Sequence, residues 1–109
     1  MSENVFNKNY KYEIFIGLKD KDSYEELFSI NDFKNILSEI CVEEKIGFSL
    51  ISQVGGYTHN KGYTTETSVR IIIIGITEEE ATILAERLKS KVNTDTVLIT
   101  KTLVESCFI

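Results

Sequence analysis

The sequence predicts an α+β domain of element order β-α-β-β-α-β: a four-stranded antiparallel sheet, order 4-1-3-2, with two helices on one face. Three observations carry this. Two segments repeat apolar residues at helical spacing, and four others are rich in aromatic and β-branched residues. Among those four, the first and third are the most apolar. In this topology they are the central strands, so the apolar content falls where burial is greatest.

Met1–Asn9 is mostly polar and reads as a flexible N-terminal tail, leaving 10–109 as a single domain. Tyr10–Leu18 reads as the first strand, with Tyr12, Ile14, Ile16 and Leu18 on one face. Lys19–Ser23 is a charged turn. Tyr24–Phe28 fits either a helical turn or a short extended piece. Ser29 and Asp32 have the spacing of a capping box, and Phe33, Ile36, Leu37 and Ile40 follow as a helical stripe ending near Gly47.

Phe48–Tyr57 reads as the second strand, where Gly55-Gly56 suggests a bulge or a close backbone approach. Asn60-Lys61-Gly62 is a turn signal, and Tyr63–Ile76 returns as the third strand. Thr77 and Glu80 form a second capping box, with an acidic first turn suited to the positive end of the helix dipole. Ala81, Leu84, Ala85, Leu88 and Val92 make the buried stripe, and Asn93 can close that helix. Thr96–Leu103 is the last strand; Val104–Ile109 either continues it or folds back. The whole is the ferredoxin-like arrangement, the split βαβ unit.

Such a sheet carries helices on one face only. The other face would show Phe15, alternate residues of Ile71–Ile74 and one of Leu98 or Ile99. An apolar face of that size calls for a partner, and a homo-oligomer through the open face or a strand edge is the expectation. Coverage by Cys107-Phe108-Ile109 is the competing account.

Composition excludes several classes. The net charge of −5 argues against nucleic-acid binding driven by phosphate neutralisation. No apolar run is long enough for a membrane span and the N-terminus has no apolar leader core, so a cytoplasmic location is expected. Cys41 and Cys107 have no zinc spacing and read as small buried hydrophobes. No metal and no cofactor is expected: Asp20-Lys-Asp22 lacks the remaining ligands of a calcium loop. There is no Walker loop, G-x-S-x-G or H-E-x-x-H.

The hairpin Gln53–Thr67 concentrates chemistry. It holds the one histidine, with Tyr57, Tyr63, Lys61 and Glu66. The candidate ligand-binding set is Tyr57, His59, Lys61, Tyr63, Glu66 and Arg70: tyrosines to stack on a planar ligand, His59, Lys61 and Arg70 to meet negative charge. A turn at Lys61-Gly62 sets Tyr57 opposite Glu66 and His59 opposite Thr64; a turn at Asn60-Lys61 sets Tyr57 opposite Thr64 and breaks that cluster. A solvated hairpin with cross-strand pairs and no ligand is the plainer account.

Ile16-Gly-Leu-Lys-Asp-Lys-Asp22, Gly55-Gly-Tyr-Thr-His59 with Gly62 and Glu66, Val97-Leu-Ile-Thr100 and Phe108-Ile109 together resemble a group of small ferredoxin-like proteins. These belong to Gram-positive bacteria, their phages and mobile elements. The resemblance implies the fold and an accessory role, and it transfers no catalytic residue.

The leading functional expectation is a non-catalytic, self-associating binding protein. It would sequester a small anionic, nucleotide-like ligand or block a bacterial protein partner, an inhibitor of bacterial defence being one version. The alternative is a small-molecule enzyme with His59 as general base at a subunit interface. A structural or regulatory oligomer with no ligand is the third.

Overall fold

A computed structural model of the chain describes residues 4–109, with His59 described by its backbone alone. The elements are β1 (Asn7–Gly17), α1 (Ile30–Glu44), β2 (Ser49–His59), β3 (Gly62–Ile74), α2 (Glu78–Val92) and β4 (Leu98–Ser106). The strands form one antiparallel sheet ordered β2-β3-β1-β4, which is 4-1-3-2 read from the other edge. The expected fold is the observed one.

The core lies between sheet and helices. Ile14, Ile16 and Leu18 meet Val69, Ile71 and Ile73 beneath Phe33 and Leu37 of α1 and Leu84, Leu88 and Val92 of α2. Each of these side chains is under 2 % exposed except Leu84, at 2 %. Both helices begin as their sequences dictate. Ser29 with Asp32, and Thr77 with Glu80, close reciprocal capping boxes. Asn93 closes α2 in the left-handed conformation, φ 59°. Helix α1 stops short of Gly47, because Lys45 takes the left-handed cap at φ 58° and donates its N–H to the carbonyls of Cys41 and Val42.

Strand pairing moves or settles four other features of the sequence reading. Strand β1 begins at Asn7, so Asn7–Asn9 of the expected tail is strand, paired with Ser106–Val104; Met1–Glu3 lie outside the described residues. Pairing with β1 likewise carries β4 on to Ser106. Phe108 and Ile109 are fully exposed and do not cover the open face. Segment 24–28 is neither helix nor named strand: Tyr24 has φ +60°, and Glu26 makes a single bridge to Lys19. Gly55-Gly56 makes no bulge, since the β2–β3 register runs unbroken from Ser49↔Ile72 to His59↔Gly62.

The paired arm of β2 and β3 projects past the helices. The radius of gyration is 15.7 Å, against about 13 Å for a compact chain of this length. Val54 and Tyr63 on the arm are largely exposed. No helix among the described residues is long and apolar enough to cross a membrane.

Candidate functional site

Strand alternation sorts the open face into rows. Tyr57, Gly55, Gln53 and Ile51 of β2 stand beside Thr64, Glu66, Ser68 and Arg70 of β3. Gly17 and Phe15 of β1 continue the rows of Ser68 and Arg70, and Leu98 of β4 continues that of Phe15. At the end of the face nearer the hairpin arm is a cavity of about 490 Å³. Gln53, Ser68 and Gly17 cross it, Tyr57 and Glu66 stand at one end, and Phe15 and Leu98 at the other. Loop residues Asp20, Lys21 and Tyr24 and the segment Thr94–Thr96 add to its lining.

Glu66 is the acidic side chain on the sheet here. Its carboxylate lies over the α-carbon of Gly17, in space that any Cβ at position 17 would occupy. The Lys19 backbone N–H donates to Glu66 Oε2 at 3.0 Å. Burial raises the Glu66 pKa above its ordinary value; the Lys19 N–H and charge oppose this, and the Glu26 charge adds to it. The Lys19 ammonium is engaged elsewhere, donating to Thr64 Oγ1 at 3.0 Å and to the Thr65 carbonyl at 3.3 Å. Burial, then the charge of Glu66, pushes the Tyr57 phenol up as well, with Tyr24 and Asp95 adding to it. Tyr57 therefore stays a hydroxyl donor at neutral pH.

The loop over the cavity is held by Asp20. Its carboxylate accepts from Asn93 Nδ2 at 2.8 Å, from the Ser23 and Asp22 backbone N–H groups at 2.9 and 3.0 Å, and from Ser23 Oγ at 3.1 Å. The Asn93 bond first, then the Ser23 N–H, lowers the Asp20 pKa to about 2. Tyr24 N–H returns to the Asp20 carbonyl at 2.8 Å, which fixes the left-handed turn that carries the Tyr24 ring.

The structure brings some of the sequence-predicted residues together and separates others. Tyr57 and Glu66 line the same cavity. The turn is Asn60-Lys61, so Tyr57 is opposite Thr64, and the cluster that the other register would form is broken. Arg70 shares the open face but pairs with Glu13 at 3.3 Å, away from the cavity. Tyr63 is on the opposite face, its hydroxyl against Gly56. Lys61 sits at the turn with its ammonium 5.5 Å from the centre of the Tyr24 ring. His59 ends β2 opposite Gly62, and its side chain lies outside the described residues. Gln53, Ser68, Gly17 and Asp95 were not in the sequence-derived set. Alternation from Tyr57 back to Gly55 and Gln53 was the available signal. Among the described residues no group of three or more His, Cys, Asp or Glu side chains is placed to hold a metal ion.

No protein-family model matches the chain, and no curated protein matches it. Solved structures do. A phage SAM lyase in its apo state is 24% identical over 99% of this chain and 96% of that one, with a TM-score of 0.73. A phage SAM lyase in complex with S-methyl-5'-thioadenosine is 24% identical over 92% and 90%, TM-score 0.69. CPII, a nitrogen regulatory PII-like protein from Thiomonas intermedia K12 bound to ADP, AMP and bicarbonate, is 13% identical over 94% and 98%, TM-score 0.55. The expectation of a non-catalytic binding protein is corrected by these findings: two of the structures that resemble the chain over nine-tenths of its length are of an enzyme. The chain thus shares its fold with small phage and bacterial proteins, an enzyme among them.

Proposed function

We propose that the protein is an enzyme that cleaves S-adenosylmethionine, or a close adenosyl sulfonium, and releases S-methyl-5'-thioadenosine. The observation that carries this is that Glu66 and Tyr57 both stand at one end of a cavity of ligand size. A sulfonium is a cation. A carboxylate attracts it by charge, and a tyrosine ring attracts it by its π face. Of the positive side chains expected to meet an anion, Arg70 is held by Glu13 and Lys61 sits over the Tyr24 ring at the turn; Lys19, at the cavity edge, donates to Thr64 and Thr65. The fold likeness to a SAM lyase supports the same reading. Glu66 takes the place given to His59 in the enzymatic alternative.

The chemistry asks little of the protein beyond binding and orientation. When the bond from sulfur to the γ-carbon of the methionine part breaks, the electron pair stays on sulfur and a neutral thioether leaves. A lyase adds no water, so the four-carbon fragment satisfies its γ-carbon internally, by its own carboxylate or by loss of a β-proton. Glu66 holds the sulfonium, and Tyr57 offers a hydroxyl to the substrate's oxygens.

The test is incubation of the purified protein with S-adenosylmethionine, followed by chromatography and mass spectrometry. S-methyl-5'-thioadenosine should accumulate above the buffer rate, and Glu66→Gln should abolish this while the circular dichroism spectrum is kept. A wild type that releases no S-methyl-5'-thioadenosine above the buffer rate would sink the reading.

We also propose that the bare sheet face is covered by a second copy of the chain. Ile72 and Phe15 are half-buried there and Ile74 and Leu98 are exposed, two apolar pairs on either side of the Arg70–Glu13 ion pair that water does not favour.

A further inference from the structure

The polar floor of the cavity has a ligand of its own to find. Ser68 is 6% exposed and lines the cavity, and among the described residues its hydroxyl has no hydrogen-bond partner. Gln53 lies directly across the β2–β3 ladder from it, half-buried on the same cavity wall. The Gln53 amide likewise has no partner among the described residues. Both groups open onto the cavity, where the polar edge of a ligand can pair with them.

The two groups are neutral, and together they both donate and accept. Along β3, Ser68 stands between Glu66 and Arg70, while Phe15 and Leu98 of the next strands add an apolar wall to the cavity. A row of neutral donors and acceptors beside an apolar wall suits a flat, uncharged heterocycle. Of the two charges that flank Ser68 along β3, Arg70 is held by Glu13 and Glu66 is left to face the sulfonium. Lys21 and Asp95, both exposed, supply charge at the cavity's loop side instead. Spacing agrees: Ser68 is two residues along β3 from Glu66, about 7 Å. That is roughly the reach from a 5'-sulfur to the far edge of its purine. A glutamine amide matches the adenine edge, donating to N7 while accepting from the N6 amine.

We propose that Gln53, with Ser68 beside it, reads the purine edge of the adenosyl ligand and sets base specificity at this site. The inference rests on the adenosyl reading above. S-methyl-5'-thioadenosine is the probe, because it carries the base and lacks the amino-acid part. Calorimetry should show wild-type protein binding it about tenfold more tightly than its 7-deaza analogue, which has lost N7. Gln53→Ala should weaken binding of the parent about tenfold and bring parent and analogue level. Ser68→Ala is the second variant and should also weaken the parent. Gln53 is half-buried on an edge strand, so its alanine variant should melt within a few degrees of wild type. Full discrimination by Gln53→Ala would overturn the assignment, as would a wild type that binds both nucleosides alike. A Gln53→Ala that loses S-adenosylmethionine yet keeps S-methyl-5'-thioadenosine would also overturn it, by giving Gln53 to the amino-acid end. Failure of the wild type to bind any adenosyl compound would instead remove the reading of the site itself, and this inference with it.

Discussion

The carboxylate of Glu66 rests on the bare α-carbon of Gly17, across two neighbouring strands. Position 17 needs no unusual backbone, so glycine serves there by leaving room. Gly17→Ala should therefore fold, with a melting temperature near wild type, because the obstructing atoms are the far end of a flexible side chain. Displacing the carboxylate by an ångström should still lower turnover of S-adenosylmethionine by about 100-fold. Unchanged kinetics would separate Glu66 from the reaction.

Glu66 also fixes a pH dependence of stability. Its pKa is above the ordinary 4.5 in the folded protein, chiefly by burial. Between the two values the folded state holds more protons than the unfolded, so stability falls as pH rises through that window. Glu66→Gln should melt higher than wild type at pH 7 and match it near pH 3, below both values. A variant that melts lower at pH 7 would mean that the Lys19 N–H contact outweighs burial.

Ligand binding should run with the opposite sign. A cationic sulfonium favours the ionised carboxylate, so affinity for S-adenosylmethionine should rise as pH increases through the Glu66 pKa. Neutral S-methyl-5'-thioadenosine should show a much flatter profile. Parallel profiles for the two, measured by calorimetry, would place the sulfur away from Glu66.

Asp20 behaves as the ordinary acid case. Its pKa is lowered from 3.8 to about 2, first by Asn93. Its contribution is present above 3.8 and is lost as pH falls toward 2. Asn93→Ala should flatten the melting temperature against pH in that range. At neutral pH it should weaken ligand binding as well, because the turn carrying Tyr24 is anchored through the same carboxylate.

Self-association is checked by sedimentation. Wild type should have a mass above the 12.4 kDa of one chain, and Ile72→Asp should return it to one chain. A monomeric wild type would refute the second copy on the open face.

Much of the fold was legible in the sequence. The stripes Phe33–Ile40 and Ala81–Val92, the two capping boxes and the apolar first and third strands are local signals, each set by residues within a turn or two of one another. The site was legible only in part. Tyr57 and Glu66 stand out as residue types, yet their meeting depends on a register that the turn glycine left open. Ser68, Gln53 and Gly17 carry no signal alone, since a serine, a glutamine and a glycine in three strands are ordinary residues. They become one cavity floor because hydrogen bonding along β2, β3 and β1 places 53, 68 and 17 side by side. Periodicity and capping, which act over a few residues, were thus determined by the sequence itself. Which side chains share a face across strands distant in the chain was decided only by the tertiary structure, where one residue of slip would have turned each of them to the other side.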